Sequence, residues 1–152
     1  MLFRSMIICK KHGPFMMSPA HHLGNEGCPT CKSSRGARYI EKVLKDEQVH
    51  YKKEYSFNDL KGDRGKLRFD FALFEGDELT SLVEFDGVQH FERSSHFHRS
   101  EDAFKKLKRY DRLKNKYCKT NNIKLYRIAY NENIETALLE ILDKERRANE
   151  IL

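Results

Sequence analysis

The sequence predicts an α/β fold preceded by a small metal-binding module. Cysteine and histidine pairs with zinc-ligand spacing lie in the first 34 residues. After them, segments with the two-residue period of β-strands alternate with segments of helical period. The predicted order is helix, three strands, helix, strand and helix, which gives a sheet with helices packed on it. We therefore expect a zinc module over residues 1–34 and an α/β domain over residues 35–152.

The composition indicates a protein with a polyanionic partner. Charged residues make up 34% of the chain and hydrophobic residues 39%, the net charge is +6, and the pI is about 9.1. A basic balance of this kind favours nucleic acid as the partner. No apolar run reaches the length of a membrane span, and the N-terminal segment is too short and too soon interrupted for a signal peptide. Four cysteines in such a chain favour metal binding in a reducing cytoplasm over disulfides.

A C-x2-H pair and a C-x2-C pair predict a structural zinc site. The two pairs, separated by a loop, offer four ligands of the type that tetrahedral Zn²⁺ prefers, namely Cys9, His12, Cys28 and Cys31. His21 and His22 are rival donors, and either could replace His12. Because the module has few apolar residues, a structural metal would supply stability that its own core cannot.

The first helix of the larger domain is predicted over residues 37–47. Its apolar stripe consists of residues at helical spacing, Ala37, Ile40, Val43 and Leu44. Glu41 lies at the edge of this stripe. A solvated glutamate is the commoner arrangement at such an edge, but the side chain could instead point toward the sheet and take part in a site.

Three strands are predicted to follow, and the last two form a hairpin within residues 67–91. The first strand covers residues 49–57 and is followed by a loop at residues 61–66. On the next strand, alternation places four apolar side chains on one face, Leu67, Phe69, Phe71 and Leu73.

Three carboxylates are predicted to converge on one side of this hairpin. Asp70 lies on its first strand, and Glu84 and Asp86 share a face of its second. Carboxylates on a solvent-exposed sheet face are ordinary. A converging cluster, however, is unfavourable unless a divalent cation or protonation compensates the repulsion.

A long helix is predicted over residues 101–121, with Asp111 on its apolar side. A carboxylate on that side needs a partner, such as a backbone donor, Arg127 or a metal ion. The outer face is predicted to carry the basic residues Lys105, Lys106, Lys108, Arg109, Arg112, Lys114 and Lys116. This face could be merely solvated, but its shortage of acids favours contact with phosphates.

The chain is predicted to end with a strand over residues 123–130 and a helix over residues 134–150. The packing side of that helix is predicted to consist of Leu138, Leu139, Ile141 and Leu142.

A resemblance to the PD-(D/E)xK nuclease superfamily is carried by four runs of residues: FDFA at 69–72, VEFDGVQH at 83–90, YDR at 110–112 and LYRI at 125–128. Within the superfamily, these runs are most similar to the branch around the very-short-patch-repair endonuclease, which includes small homing-endonuclease-like proteins. The resemblance covers about residues 37–142 and implies a restriction-endonuclease-like core, a central mixed β-sheet flanked by helices. The N-terminal segment separately resembles treble-clef zinc fingers that are appended to phage and bacterial nucleases.

The resemblance implies that Asp70 and Glu84 bind a catalytic Mg²⁺ or Mn²⁺, and that Glu41 can complete the acidic cluster. The superfamily has a lysine two residues after the second acid, where this chain has Asp86. That departure removes the usual charge stabiliser.

In the repair-endonuclease branch, histidine is often found at that position or just after it. Gln89 and His90 are therefore the candidates for the work of the missing lysine. The resemblance further implies that Asp111 orients His90 or another donor. An imidazole that titrates near neutral pH suits proton relay.

These features lead us to expect a metal-dependent DNA endonuclease of homing, nicking or repair type in a bacterial or phage setting. Two alternatives stay open. One is a zinc-containing nucleic-acid-binding protein that has lost activity, and the other is an RNA nuclease. Because one chain offers one acidic cluster, a double-strand cut would need a homodimer or two sequential nicks.

Overall fold

A computed structural model describes residues 3–11, 13–24, 27–28, 34–91 and 101–149 of the chain. Its elements are, in order, β1 (Ser5–Cys9), β2 (Gly13–Met17), α1 (Pro19–Leu23), α2 (Arg35–Asp46), β3 (His50–Gly62), β4 (Gly65–Glu75), β5 (Glu78–Asp86), a short 3₁₀ helix (Val88–His90), α3 (Glu101–Thr120), β6 (Lys124–Ala129) and α4 (Ile134–Asn149). The order predicted for the larger domain is confirmed.

The main sheet has four strands in the order β3-β4-β5-β6. The first three form an antiparallel meander, and β6 adds parallel to β5 after the chain has passed through α3. The prediction of a loop over residues 61–66 is wrong. Strand β3 continues to Gly62 and β4 begins at Gly65, which leaves a two-residue turn between them. The domain is thus a mixed α/β fold with flanking helices.

Helices cover both faces of the sheet. On one face, which we call the α2–α4 face, the core contains Ile40, Val43, Leu44, Phe71, Leu73, Val83, Ile128, Leu138, Ile141 and Leu142. On the other, the α3 face, it contains Leu60, Leu67, Phe69, Ala72, Leu82 and Cys118. The stripe predicted for α2 is confirmed. The prediction for Leu139 is wrong, because this side chain of α4 is 38% exposed.

Strand β4 reverses its faces midway. Leu67 and Phe69 pack on the α3 face, whereas Phe71 and Leu73 pack on the α2–α4 face. The prediction that these four side chains share one face is therefore wrong. The reversal falls at Asp70, the residue between Phe69 and Phe71.

The neighbouring strand β3 reverses its faces at the same level, since Tyr51 packs on the α2–α4 face and Tyr55 on the α3 face. The pairs Lys53–Phe71 and Tyr55–Phe69 place Glu54 directly opposite Asp70. Glu54 has a φ of +52°, in the left-handed region that residues other than glycine rarely adopt. Regular alternation requires extended backbone at every position, so one left-handed residue in β3 turns the following side chains to the opposite face.

The N-terminal segment forms an antiparallel hairpin of β1 and β2, followed by the one-turn helix α1. Of the predicted zinc ligands, Cys9 is half-buried and Cys28 is 8% exposed, while His12 and Cys31 lie outside the described residues. Within the described ranges, no group of three or more His, Cys, Asp or Glu side chains is placed to hold a metal ion. With two of its four ligands outside those ranges, the zinc site stays a prediction.

Across the part of the chain that the structure describes, no helix is both long enough and apolar enough to span a membrane.

Candidate active site

The candidate site lies where β4 and β5 separate. The two strands pair from the turn as far as Phe71 and Val83, and the pairing ends there. Asp70 is the first residue beyond this point, and its Oδ2 accepts a hydrogen bond of 2.8 Å from the backbone N–H of Phe85. The carboxylate thus takes the place of a strand partner. As a result, Asp70 is fixed beside the strand that carries Glu84.

Glu84 is a buried carboxylate, only 4% exposed. Burial raises its pKa to about 7, because desolvation disfavours the charged form. Lys114 opposes this increase, and the negative charge of Asp70 adds to it. Of the three carboxylates predicted to converge, Asp70 and Glu84 line the same cavity, and Asp86 is not among its lining residues.

Lys114 is the partner of Glu84 that the sequence analysis missed. The sequence predicts it on the outer, basic face of the long helix, where phosphate contact is favoured, but its side chain is only 14% exposed and Nζ donates to Glu84 Oε1. Lys114 follows Asp111 by three residues and precedes Cys118 by four, so it lies on the inward stripe of α3. The helical spacing predicts this inward position, whereas the basic residue type favours an exposed one.

A cavity of about 470 Å³ opens at this end of the sheet. It lies between the start of α2, the diverging strands and α3. Its lining residues are Ser34, Ala37, Glu54, Lys66, Leu67, Arg68, Asp70, Glu84, Phe85, Gln89, His90, Leu107, Tyr110, Asp111 and Lys114. Five of the seven predicted catalytic residues therefore share one cavity: Asp70, Glu84, Gln89, His90 and Asp111.

His90 lies within hydrogen-bond distance of Asp111, the residue that the resemblance implies would orient it. Nδ1 of His90 lies 3.0 Å from Asp111 Oδ2. Burial raises the pKa of Asp111, but the hydrogen bond from His90 and the charges of His90, Arg127 and Lys114 outweigh it and hold that pKa below its ordinary value. When Nδ1 donates to the carboxylate, Nε2 carries the lone pair of the ring.

Asp86 lies beside this pair but does not line the cavity. Its Oδ1 accepts a hydrogen bond of 2.7 Å from Arg127 Nη1, and His90 Nδ1 lies 3.7 Å away. Burial raises the pKa of Asp86, against the opposing charges of Arg127 and His90. Arg127 also lies 3.6 Å from Asp111, the partner that the sequence suggested for that carboxylate. Asp86 thus forms an ion pair with a neighbouring arginine.

The side chain of Gln89, which lines the cavity, passes close to the backbone of Gly87. A Cβ atom built on Gly87 would lie 2.5 Å from Gln89 Oε1, closer than real Cβ contacts allow. The amide therefore folds back across this backbone because position 87 has no side chain.

Glu41 is not among the residues that line the cavity. It accepts hydrogen bonds from Tyr51 at 3.1 Å and from Lys53 at 2.8 Å, and forms an ion pair with Lys45 at 3.3 Å. The structure does not bring it together with Asp70 and Glu84, so its membership of the acidic cluster stays a prediction.

The oxygen donors of the cavity fit a magnesium ion. Mg²⁺ is commonly bound through one or two carboxylates plus substrate phosphates and retains several waters. Asp70 and Glu84 offer such a pair, and their mutual repulsion is what a cation between them would relieve.

Comparison with known proteins gives one limited match. A stretch of 69 residues is 38% identical to the uncharacterized protein 307L of Invertebrate iridescent virus 6, which amounts to 45% of this chain and 34% of that protein. The match thus spans about a third of the relative's length. No family model matches the sequence, and no solved structure matches it. The comparisons assign no activity to the chain.

Proposed function

We propose that this protein is a metal-dependent DNA endonuclease that hydrolyses phosphodiester bonds. The observation that carries the proposal is the pairing of Asp70 and Glu84 where two strands separate, inside a cavity shared with His90. The mixed sheet with flanking helices also supports it, because this is the architecture that the resemblance to PD-(D/E)xK nucleases implies. The net charge of +6 suits a polyanionic substrate.

Asp70 and Glu84 would hold the magnesium ion. When bound, Mg²⁺ supplies positive charge against the phosphate and makes a nearby water more acidic. Hydrolysis forms a bond between the water oxygen and phosphorus and breaks the bond from phosphorus to a sugar oxygen. His90 Nε2 would take the proton of the attacking water, with Asp111 fixing the ring through Nδ1. The departing sugar oxygen takes a proton from solvent.

Charge removal at the paired carboxylates tests the proposal. We expect Asp70→Asn and Glu84→Gln each to reduce Mg²⁺-dependent nicking of supercoiled plasmid by about 100-fold or more, because the ion would lose one of its two negatively charged protein ligands. DNA affinity, measured by fluorescence anisotropy with Ca²⁺ in place of Mg²⁺, should stay within about threefold of wild type, since phosphate contacts dominate affinity.

Asp77→Asn is the matched control, because it makes the same chemical change at an exposed turn. It should leave cleavage unchanged. Wild-type rates in the Asp70 and Glu84 variants would refute the proposal.

A second candidate is a nucleic-acid-binding protein without nuclease activity. It is favoured by Asp86 at the lysine position and by the ion pair that Glu84 already forms with Lys114. Retained binding with no cleavage in Mg²⁺, Mn²⁺, Co²⁺ or Ca²⁺ would select this alternative. Supplying DNA and RNA of the same sequence in separate reactions distinguishes a DNA nuclease from an RNA nuclease.

The proposal also includes a structural zinc ion in the N-terminal segment, with Cys9 and Cys28 among its ligands. A monomer with a single carboxylate pair would nick one strand. A double-strand cut would require a homodimer or two successive events.

A further inference from the structure

Lys114 is a half-buried lysine that has one ion-pair partner among the described residues. Its Nζ donates to Glu84 Oε1, and it lies 5.1 Å from the centre of the Phe69 ring. An ammonium group has three donors. Among the described residues only Glu84 uses one of them. The side chain lines the cavity, so the remaining donors are available to a ligand that enters it.

A purely structural role does not explain this arrangement well. Buried ion pairs stabilise proteins little compared with apolar residues of similar size, because both charges must be desolvated. The neighbouring inward residue Cys118 is apolar in character and 2% exposed, which shows what this stripe of α3 accommodates. A lysine here is costly unless its charge serves a ligand.

Beside the cavity, the residue two positions after Glu84 already forms an ion pair. Asp86 is held by Arg127, and that guanidinium lies between Asp86 and Asp111. Arg127 acts on Glu84 through its charge, but it is not among the residues that line the cavity. Of the described lysines and arginines that line the cavity, namely Lys66, Arg68 and Lys114, Lys114 is the one that forms an ion pair with Glu84.

We infer that Lys114 is a catalytic residue whose ammonium group binds a phosphoryl oxygen of the scissile phosphodiester and stabilises the charge that develops there. This inference rests on the proposed function. Lys114 keeps its protons throughout hydrolysis and acts by hydrogen bonding and charge, as preorganised donors do in other hydrolytic sites. It would thereby supply from α3 the positive charge that Asp86 cannot.

The test compares Lys114→Met with Lys144→Met. Lys144 is an exposed lysine of α4, so the same substitution there is a matched control. We expect Lys114→Met to lower kcat for plasmid nicking by about 100-fold or more, with KM and DNA affinity within about threefold of wild type. Lys144→Met should keep kcat, and Lys114→Arg should recover at least a tenth of the lost rate because it retains the charge.

Circular dichroism and thermal melting establish that the variants are folded. If Lys114→Met does not fold, Lys114→Gln decides the question, since it keeps a donor for Glu84 without the charge. A kcat within threefold of wild type in either folded neutral variant would overturn the inference. If wild type cleaves and Asp70→Asn does not, the proposed function stands whatever the Lys114 variants do. If wild type itself does not cleave DNA, the proposed function is refuted, and the inference about Lys114 is refuted with it.

Discussion

At the scale of single residues, Glu41 joins a helix to the sheet. Its carboxylate accepts hydrogen bonds from Tyr51 and Lys53 on β3, and Lys45 lies one turn away on its own helix. Burial raises the pKa of Glu41, but the hydrogen bond and charge of Lys53, with help from Lys45 and Tyr51, bring it below its ordinary value. Through these contacts, Glu41 connects α2 to β3, the first strand of the main sheet.

We predict that Glu41→Gln weakens folding at neutral pH by about 1 kcal/mol, the usual size of such a contact. Because the folded-state pKa is lowered, this stability is present above the ordinary value of 4.5 and is lost as the pH falls through the lower folded-state value. Urea unfolding at pH 7 should therefore separate the variant from wild type, and the difference should shrink as the pH falls below 4.5.

Glu140→Gln, on an exposed face of α4, serves as the control for Glu41→Gln and should show neither effect. Plasmid nicking by Glu41→Gln should match wild type. A loss of cleavage as large as that of Asp70→Asn would place Glu41 in the acidic cluster, as the resemblance implied.

At the scale of elements, the β1–β2 hairpin buries little apolar surface. Met6, Ile8 and Met16 are 68%, 73% and 54% exposed, although all three belong to its strands. A hairpin of two strands is only marginally stable in water. Within the described residues, the hairpin has too little burial to account for its own stability, which is the situation in which a structural metal contributes folding free energy.

We predict one zinc ion per purified chain and a loss of most of it in Cys28→Ser, measured by elemental analysis after gel filtration. Limited proteolysis should then cut the N-terminal segment faster in the variant. Cys118→Ser is the control, since this thiol is buried on the α3 face of the sheet. Equal zinc content in wild type and Cys28→Ser would contradict the zinc site.

Most elements could be predicted because their apolar residues follow one period throughout. Ile40, Val43 and Leu44 identify α2 in this way, and Asp70 and Glu84 meet because a short turn joins their strands. The face reversal could not be predicted, because Glu54 gives no sign in the sequence that its φ is positive. The inward position of Lys114 follows from helical spacing, but a lysine is ordinarily assigned to a solvated face.

At the scale of the whole molecule, the positive charge on α3 is partly neutralised within the fold. Asp63, at the turn between β3 and β4, pairs with Lys106 at 3.4 Å and also with Arg109, and Lys105 pairs with Glu101. Among the described residues, no acid pairs with Arg112 or Lys116, and both are exposed. These two residues are the best placed on α3 for phosphate contacts.

We predict that Arg112→Gln with Lys116→Gln weakens DNA binding and lowers the steepness of its salt dependence. Each lost phosphate contact should reduce the slope of log K against log salt by about 0.9. The measurement is fluorescence anisotropy over a series of salt concentrations. Lys144→Gln with Arg147→Gln removes the same charge from α4 and should leave the slope unchanged. An unchanged slope in the α3 variant would exclude these contacts.

The parallel pairing of β5 with β6 determines when the site can form during folding. Strands β3, β4 and β5 are joined by two-residue turns, whereas β6 pairs with β5 only after α3 has crossed the sheet. Closing that longer segment is slower than forming the hairpins. Until it closes, Glu84 and Asp86 lack Lys114 and Arg127, their cationic partners. The meander by itself therefore lacks the cationic partners of its buried acids, and under the proposed function a nascent chain would become able to cut DNA only once α3 and β6 have packed on it.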